Sequence, residues 1–156
     1  MTHKINKLIA AFEIVGGVIG IVMGLMPVFK LEHIEGPTSE VVAYFAICFG
    51  FTLLYALSLY AGIELWKEKR IGYKLSIFSQ AIQVPLFASS YVIYNFFSAI
   101  SLSVLMSEFG PSIKFLIGNS FSLGFVRPDV SFAFGINLVA LAILIYLIHG
   151  LRKKVD

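Results

Sequence analysis

The chain has 156 residues, 58% of them hydrophobic and only 13% charged, with a formal net charge of +3 and a mean hydropathy of +0.89. A soluble domain of this length could not hide so much apolar surface, so composition excludes an ordinary water-soluble fold and points to a lipid bilayer as solvent. The single cysteine, Cys48, excludes an intramolecular disulfide and any paired-thiol chemistry.

Four apolar stretches are long enough to cross a membrane: residues 8–29, 41–65, 75–100 and 130–151. At about 1.5 Å rise per residue, each exceeds roughly 30 Å of hydrocarbon. Backbone amides in lipid need partners within their own segment. The expectation is therefore an all-α membrane protein, a four-transmembrane-helix antiparallel bundle forming one integral membrane domain over residues 1–156.

The first stretch follows Lys4 and Lys7, as a secretory signal would. Its apolar run is too long, Glu13 interrupts it, and no small-x-small cleavage pattern follows before Pro27, which predicts a retained anchor. Glu13 shares a helical face with Gly16, Gly20 and Gly24, whose four-residue spacing makes a smooth ridge for close helix packing. An ionisable group inside a membrane is a functional candidate by default, because its charge is costly to bury unpaired. Two roles are open to it: protonated, as a donor to a glutamine, or ionised, as a partner of Lys7 or Lys74.

The link over residues 30–40 is acidic. Gly36-Pro37 breaks any helix there, and Thr38 or Ser39 can cap the next one. The second stretch ends in Trp66-Lys67-Glu68-Lys69-Arg70, a stop-transfer cluster with Trp66 in the interfacial aromatic belt. Anionic headgroups account for such a cluster, so no nucleic-acid partner is inferred from the basic balance. The short turn over residues 66–74 predicts that helices two and three are antiparallel neighbours.

On helix three, Ser76, Gln80, Gln83, Phe87, Ser90 and Tyr94 recur at steps of three and four, a polar stripe that lipid would not accommodate. Pro85 predicts a kink near Gln83. Helices one and three run in the same direction, so Glu13, Gln80 and Gln83 fall at similar depth, with Tyr60 on helix two close to that level. These four residues are the candidate polar cavity, placed in the cytoplasmic half with Glu64, Tyr146 and His149 at or just below it. Asn95 and Asn137 are expected to bridge helices three and four.

The outer connection, residues 101–129, alternates Ile113, Phe115, Ile117 with Phe121, Leu123, Phe125 about Gly118-Asn119-Ser120. A three-residue loop there would set all six apolar side chains on one side, predicting a short extracytoplasmic β-hairpin, begun after Gly110-Pro111 and closed by Arg127-Pro128-Asp129. Nine of the twelve Lys and Arg residues fall in the N-terminal tail, the second connection and the C-terminal tail. By the positive-inside rule both termini are cytoplasmic, in a multi-pass protein of the cell membrane.

No H-E-x-x-H, G-x-S-x-G or glycine-rich phosphate loop is present, and His3, His33 and His149 belong to separate parts of the bundle. Neither catalysis, a metal nor a cofactor is expected. The stretch Ala10-Ala11-Phe12-Glu13-Ile14-Val15-Gly16 resembles the first helix of small multidrug-resistance transporters, and that resemblance implies a helix-one glutamate exchanging protons for cationic drugs. It covers about a dozen residues; helix three lacks the family's Trp-Ser-Gly-x-Gly run and the outer loop is far longer, so the chain is not assigned to that family. The leading expectation is a non-catalytic interaction or accessory membrane protein, working through the glycine ridge and the outer hairpin with itself or a partner membrane protein. The alternative is a proton-coupled small transporter or pore, a homo-oligomer with Glu13 as its titrating residue.

Overall fold

The computed structural model describes residues 2–33, 38–125 and 131–152. The Gly36-Pro37 break, the Arg127-Pro128-Asp129 closure and Lys153-Lys154 of the basic tail lie outside the described residues. Two helices match the first two apolar stretches: α1, Thr2–Leu25, continued by a 3-10 stretch Met26–His33, and α2, Thr38–Trp66. Both are long and apolar enough to cross a membrane.

The expected all-α, four-helix membrane bundle is overturned by the second half of the chain, which is largely a sheet. Helix α3 runs only over Arg70–Gln83 and α4 only over Leu138–Arg152. At 14 and 15 residues each is roughly 21–23 Å long, short of the hydrocarbon thickness. Between them, among the described residues, lie six strands: β1 Pro85–Ala88, β2 Val92–Phe97, β3 Ile100–Ser107, β4 Gly110–Ile117, β5 Ser120–Phe125 and β6 Ala133–Asn137.

The physical reasons are local. Pro85 does not kink a continuing helix; α3 stops two residues before it and the proline opens β1. Beyond it, Val92, Tyr94 and Phe96 alternate with Ile93, Asn95 and Phe97 in a β-branched and aromatic run that suits a strand. Ser89 makes the β1–β2 turn, its Oγ accepting from the amides of Tyr91 at 3.3 Å and Val92 at 3.1 Å. Within the fourth apolar stretch, Ala133–Asn137 is likewise strand, and Asn137 ends it. Its Oδ1 accepts from the amides of Val139 at 3.2 Å and Ala140 at 3.4 Å, an N-cap that starts α4. Asn95 bonds Ser120 Oγ at 3.1 Å. Neither asparagine bridges helices three and four as expected.

The six strands form one antiparallel sheet in the order β4-β3-β6-β1-β2-β5. The expected hairpin between β4 and β5 does not form: β4 pairs with β3 and β5 with β2, so the two are opposite edges joined only through Gly118-Asn119. The six alternating apolar residues nevertheless share a face. Register aligns Phe115 with Leu102, Val104 with Ile136, Phe134 with Phe87, and Tyr94 with Leu123. That face is aromatic and aliphatic throughout, whereas the other is mixed: Ser101, Ser103, Asn95, Asn137 and Lys114 with Leu86, Ile93, Phe97, Leu105 and Leu116. A two-residue link between the two edges requires the sheet to curl into a nearly closed trough, and the small polar residues are on its inside.

Two cores hold the molecule. At one pole all four helices meet around Ile9, Ala10, Leu65, Tyr73 and Leu147. Gly72 permits the tight α2–α3 approach, since a Cβ there would collide with the backbone of Glu64 and Leu65. The second core joins α2 to the outer face of the sheet, with Phe51 and Tyr55 against Phe96 and Phe121. The Tyr55 hydroxyl donates to the carbonyls of Phe97 at 3.3 Å and Ser120 at 3.2 Å.

Candidate functional site

Glu13 lies in the middle of α1 and is 3% exposed. Its partners come from α3, where Ser76 and Gln80 are one helical turn apart on the face turned toward α1. Ser76 Oγ donates to Glu13 Oε2 at 2.6 Å and Gln80 Nε2 to Oε1 at 3.0 Å. Among the described residues no cationic side chain pairs with this carboxyl. Lys7 lies over the Trp66 ring at 5.4 Å instead, and Lys74 is exposed.

A cavity of about 60 Å³ opens beside Glu13, lined by Ser58, Gln80, Gln83, Ser98 and Ala99 together with apolar side chains of α1 and α4. A water needs roughly 10–15 Å³ by this measure, so a few fit. Ser58 Oγ and Ser98 Oγ are buried here without a hydrogen-bond partner among the described residues. These unmet hydroxyls give an otherwise largely apolar cavity groups that water can bond.

Three of the four expected cavity residues, Glu13, Gln80 and Gln83, are thus brought together. Tyr60 is not: it is 53% exposed on the far side of α2. Gln83 spans two structures, its Nε2 donating to the Ser79 carbonyl at 3.3 Å and its Oε1 accepting from the Ser98 amide at 2.8 Å. The helical stripe ends there, so Phe87, Ser90 and Tyr94 do not continue it.

The far wall is the floor of the trough, where the β2–β3 link at Ser98-Ala99 and the β4–β5 link at Gly118-Asn119 run side by side. Gly118 N donates to the Ala99 carbonyl at 2.8 Å and Ala99 N to Asn119 Oδ1 at 2.9 Å. Both links rest on Gly16 of α1, where Ser98 and Ala99 leave no room for a Cβ. Composition gave no sign of Ser58, Ser98 and Asn119 as site residues, because their relevance depends on strand order.

The glycine ridge is used inside the chain. Gly16 receives the trough floor, Gly20 the Tyr55 ring and Gly24 the Thr52 side chain. At the four-helix pole, Glu64 is buried and accepts from Lys69 at 2.7 Å and Lys67 at 3.0 Å, while His3 contacts Glu68. Asn6 Nδ2 donates to the Tyr73 hydroxyl at 2.6 Å, and the Tyr146 hydroxyl to Asn6 Oδ1 at 3.1 Å. His149 is exposed. Among the described residues, no three His, Cys, Asp or Glu side chains assemble as a metal site would require. Comparison with protein families, with curated proteins and with solved structures finds no match to this chain.

Proposed function

We propose that this is a multi-pass cell-membrane protein, non-catalytic, whose working part is a reversible proton site at Glu13 and which acts as an accessory component alone or beside a partner membrane protein. The observation that carries the reading is the neutral setting of the Glu13 carboxyl: hydroxyl and amide donors, a small cavity with two unmet hydroxyls and no counter-charge among the described residues. A serine hydroxyl can donate to a carboxylate or accept from a carboxylic acid, so Ser76 serves either protonation state, and cavity waters can do the same at Ser58 and Ser98. A structural ion pair would fix one state; this arrangement does not.

Membrane embedding is supported by the surface. Ile113, Phe115, Ile117 and Phe125 on the sheet are each at least 60% exposed, and the outer faces of α1 and α2 are equally apolar. Soluble monomers rarely carry patches of that extent. The His3–Glu68 and Asn6–Tyr73–Tyr146 contacts gather the N-terminus, the α2–α3 turn and the end of α4 at one pole, together with Lys4, Lys7, Lys67, Lys69, Arg70 and Arg152. Such a basic pole fits cytoplasmic termini.

A second reading is the proton-coupled transporter, working as a homo-oligomer. It is favoured by one observation: the short segment Ser98–Ile100 walls the Glu13 cavity and is flanked by Phe97 and Ser101, which line a second cavity inside the trough. Displacing that segment would join them.

Infrared difference spectroscopy on protein labelled with carbon-13 glutamate, held in lipid nanodiscs and stepped through pH, tests the proton site. A titrating carboxyl band that is absent in Glu13→Gln supports it. A Glu13 band that does not change over the whole pH range in which the protein stays folded refutes it.

A further inference from the structure

The cavity inside the curled sheet has a volume of about 260 Å³. Strands β4 and β2, first and fifth in the sheet order, both wall it, as the curl requires. Its lining divides into two kinds of chemistry. Leu86, Ile93, Phe97, Leu105 and Leu116 give an apolar wall, and Lys114, Asn95, Ser101 and Ser103 supply the polar groups.

Lys114 stands directly opposite Ser103 across the β3–β4 ladder, at the trough's open edge. Among the described residues no carboxylate pairs with it and no acidic side chain lines the cavity. Ser101 and Ser103 are buried and share one hydrogen bond at 2.7 Å. Only one of the two protons is used in that bond, so a second hydroxyl donor remains. Asn95 Oδ1 is buried here without a partner among the described residues. The trough therefore offers two donors for an anion, the Lys114 ammonium and a serine hydroxyl, and one unmet acceptor, Asn95 Oδ1, against greasy walls.

We propose that the trough binds a small amphiphile with a single carboxylate, its head at Lys114 and Ser103 and a short apolar body along Leu86, Phe97 and Leu105. Lys114 is exposed at the rim, and the two oxygens of a carboxylate can accept from the ammonium and the hydroxyl at once, in charge-assisted hydrogen bonds about twice as strong as neutral ones. The volume lies below the roughly 300–1,000 Å³ of sites for drug-sized molecules. A medium-chain acid fits that space and a two-chain phospholipid does not. The inference is independent of the proton site, since Glu13 lies on the other side of the trough floor.

The test uses the full chain in nanodiscs of zwitterionic lipid, with fluorine-labelled octanoate and the matching octanol followed by fluorine NMR. Octanoate binding is expected to saturate, to weaken about ten-fold in Lys114→Gln, which is the loss of one charge-assisted contact, and to persist in Lys114→Arg. Octanol binding should be the same in the wild type and Lys114→Gln, and Leu105→Trp, which fills the trough, should abolish both. Equal octanoate affinity in the wild type and Lys114→Gln would overturn the proposal, as would uptake that rises without saturating. A phospholipid retained in native mass spectra of the wild type and lost in Lys114→Gln would also overturn it, in favour of a lipid headgroup.

Discussion

Asn119 Nδ2 donates to the carbonyl of Gly16 at 2.5 Å across 103 positions of sequence, and this one amide side chain seats the floor of the trough on α1. Its other end accepts from Ala99 N at 2.9 Å, so the two crossing links and the helix share a single clamp. The Gly16 carbonyl lies one turn above Glu13, and the clamp thereby sets the roof of the Glu13 cavity.

Asn119→Ala removes both bonds and leaves Ala99 N without its acceptor. The expected loss is about 1–3 kcal/mol, the range for a part-buried amide stripped of its partners. Thermal unfolding in nanodiscs measures it, and a Tm equal to the wild type would mean that the clamp contributes nothing.

Ala99 holds φ at 69°, in the left-handed region. A residue with a Cβ gives up roughly 1–2 kcal/mol there relative to glycine, so Ala99→Gly should stabilise the protein by up to about 1 kcal/mol after the loss of the methyl contact with Gly16. A rise in Tm without change in secondary structure is the expected outcome; a fall would show that the methyl contact outweighs the backbone strain.

Gly20 faces the Tyr55 ring, which is fully buried and tied through its hydroxyl to the Phe97 and Ser120 carbonyls. The ring cannot swing away from an added methyl. Gly20→Ala should therefore cost about 1–3 kcal/mol by overpacking, with no change in oligomeric state. If the variant instead alters self-association at unchanged stability, the ridge is a contact between copies.

The Glu64 carboxylate beside Lys69 raises the lysine ammonium above its ordinary value of 10.5. A raised lysine value stabilises fully below 10.5 and ceases to do so as pH climbs through the higher folded-state value. Lys69→Met should therefore unfold more readily than wild type at neutral pH, with the gap closing in strong alkali. Equal alkaline and neutral differences would contradict the pairing. The effect is small because the lysine is half exposed.

The first two helices were legible from apolar length and composition, a criterion that misled in the third and fourth stretches. Residues 85–97 and 133–137 were not, since a continuous apolar run reads equally as buried strand or helix. Alternation was visible in Val92-Tyr94-Phe96 and Phe132-Phe134-Ile136, as plainly as in Ile113-Phe115-Ile117. What stayed hidden was pairing: β4 and β5 are neighbours in sequence yet opposite edges, and no local pattern encodes that. Glu13, Gln80 and Gln83 could be grouped from helical spacing and depth. Tyr60 was misplaced because its depth was right and its face was wrong, whereas Ser98 and Asn119 reach the site only through the sheet.

An apolar outer surface set in lipid, with the polar side chains of the sheet turned inward, is the premise on which both the proton site and the trough depend. Its most direct test is a pair of spin labels in a Cys48→Ser background, attached through Phe115→Cys on the outer face of β4 and Lys114→Cys on the inner face, with the protein in nanodiscs. The label at 115 is expected to collide with oxygen dissolved in the lipid and to be shielded from a water-soluble nickel complex, while its neighbour at 114 meets the nickel complex. Equal access of the nickel complex to both labels would place the sheet in water and refute the premise.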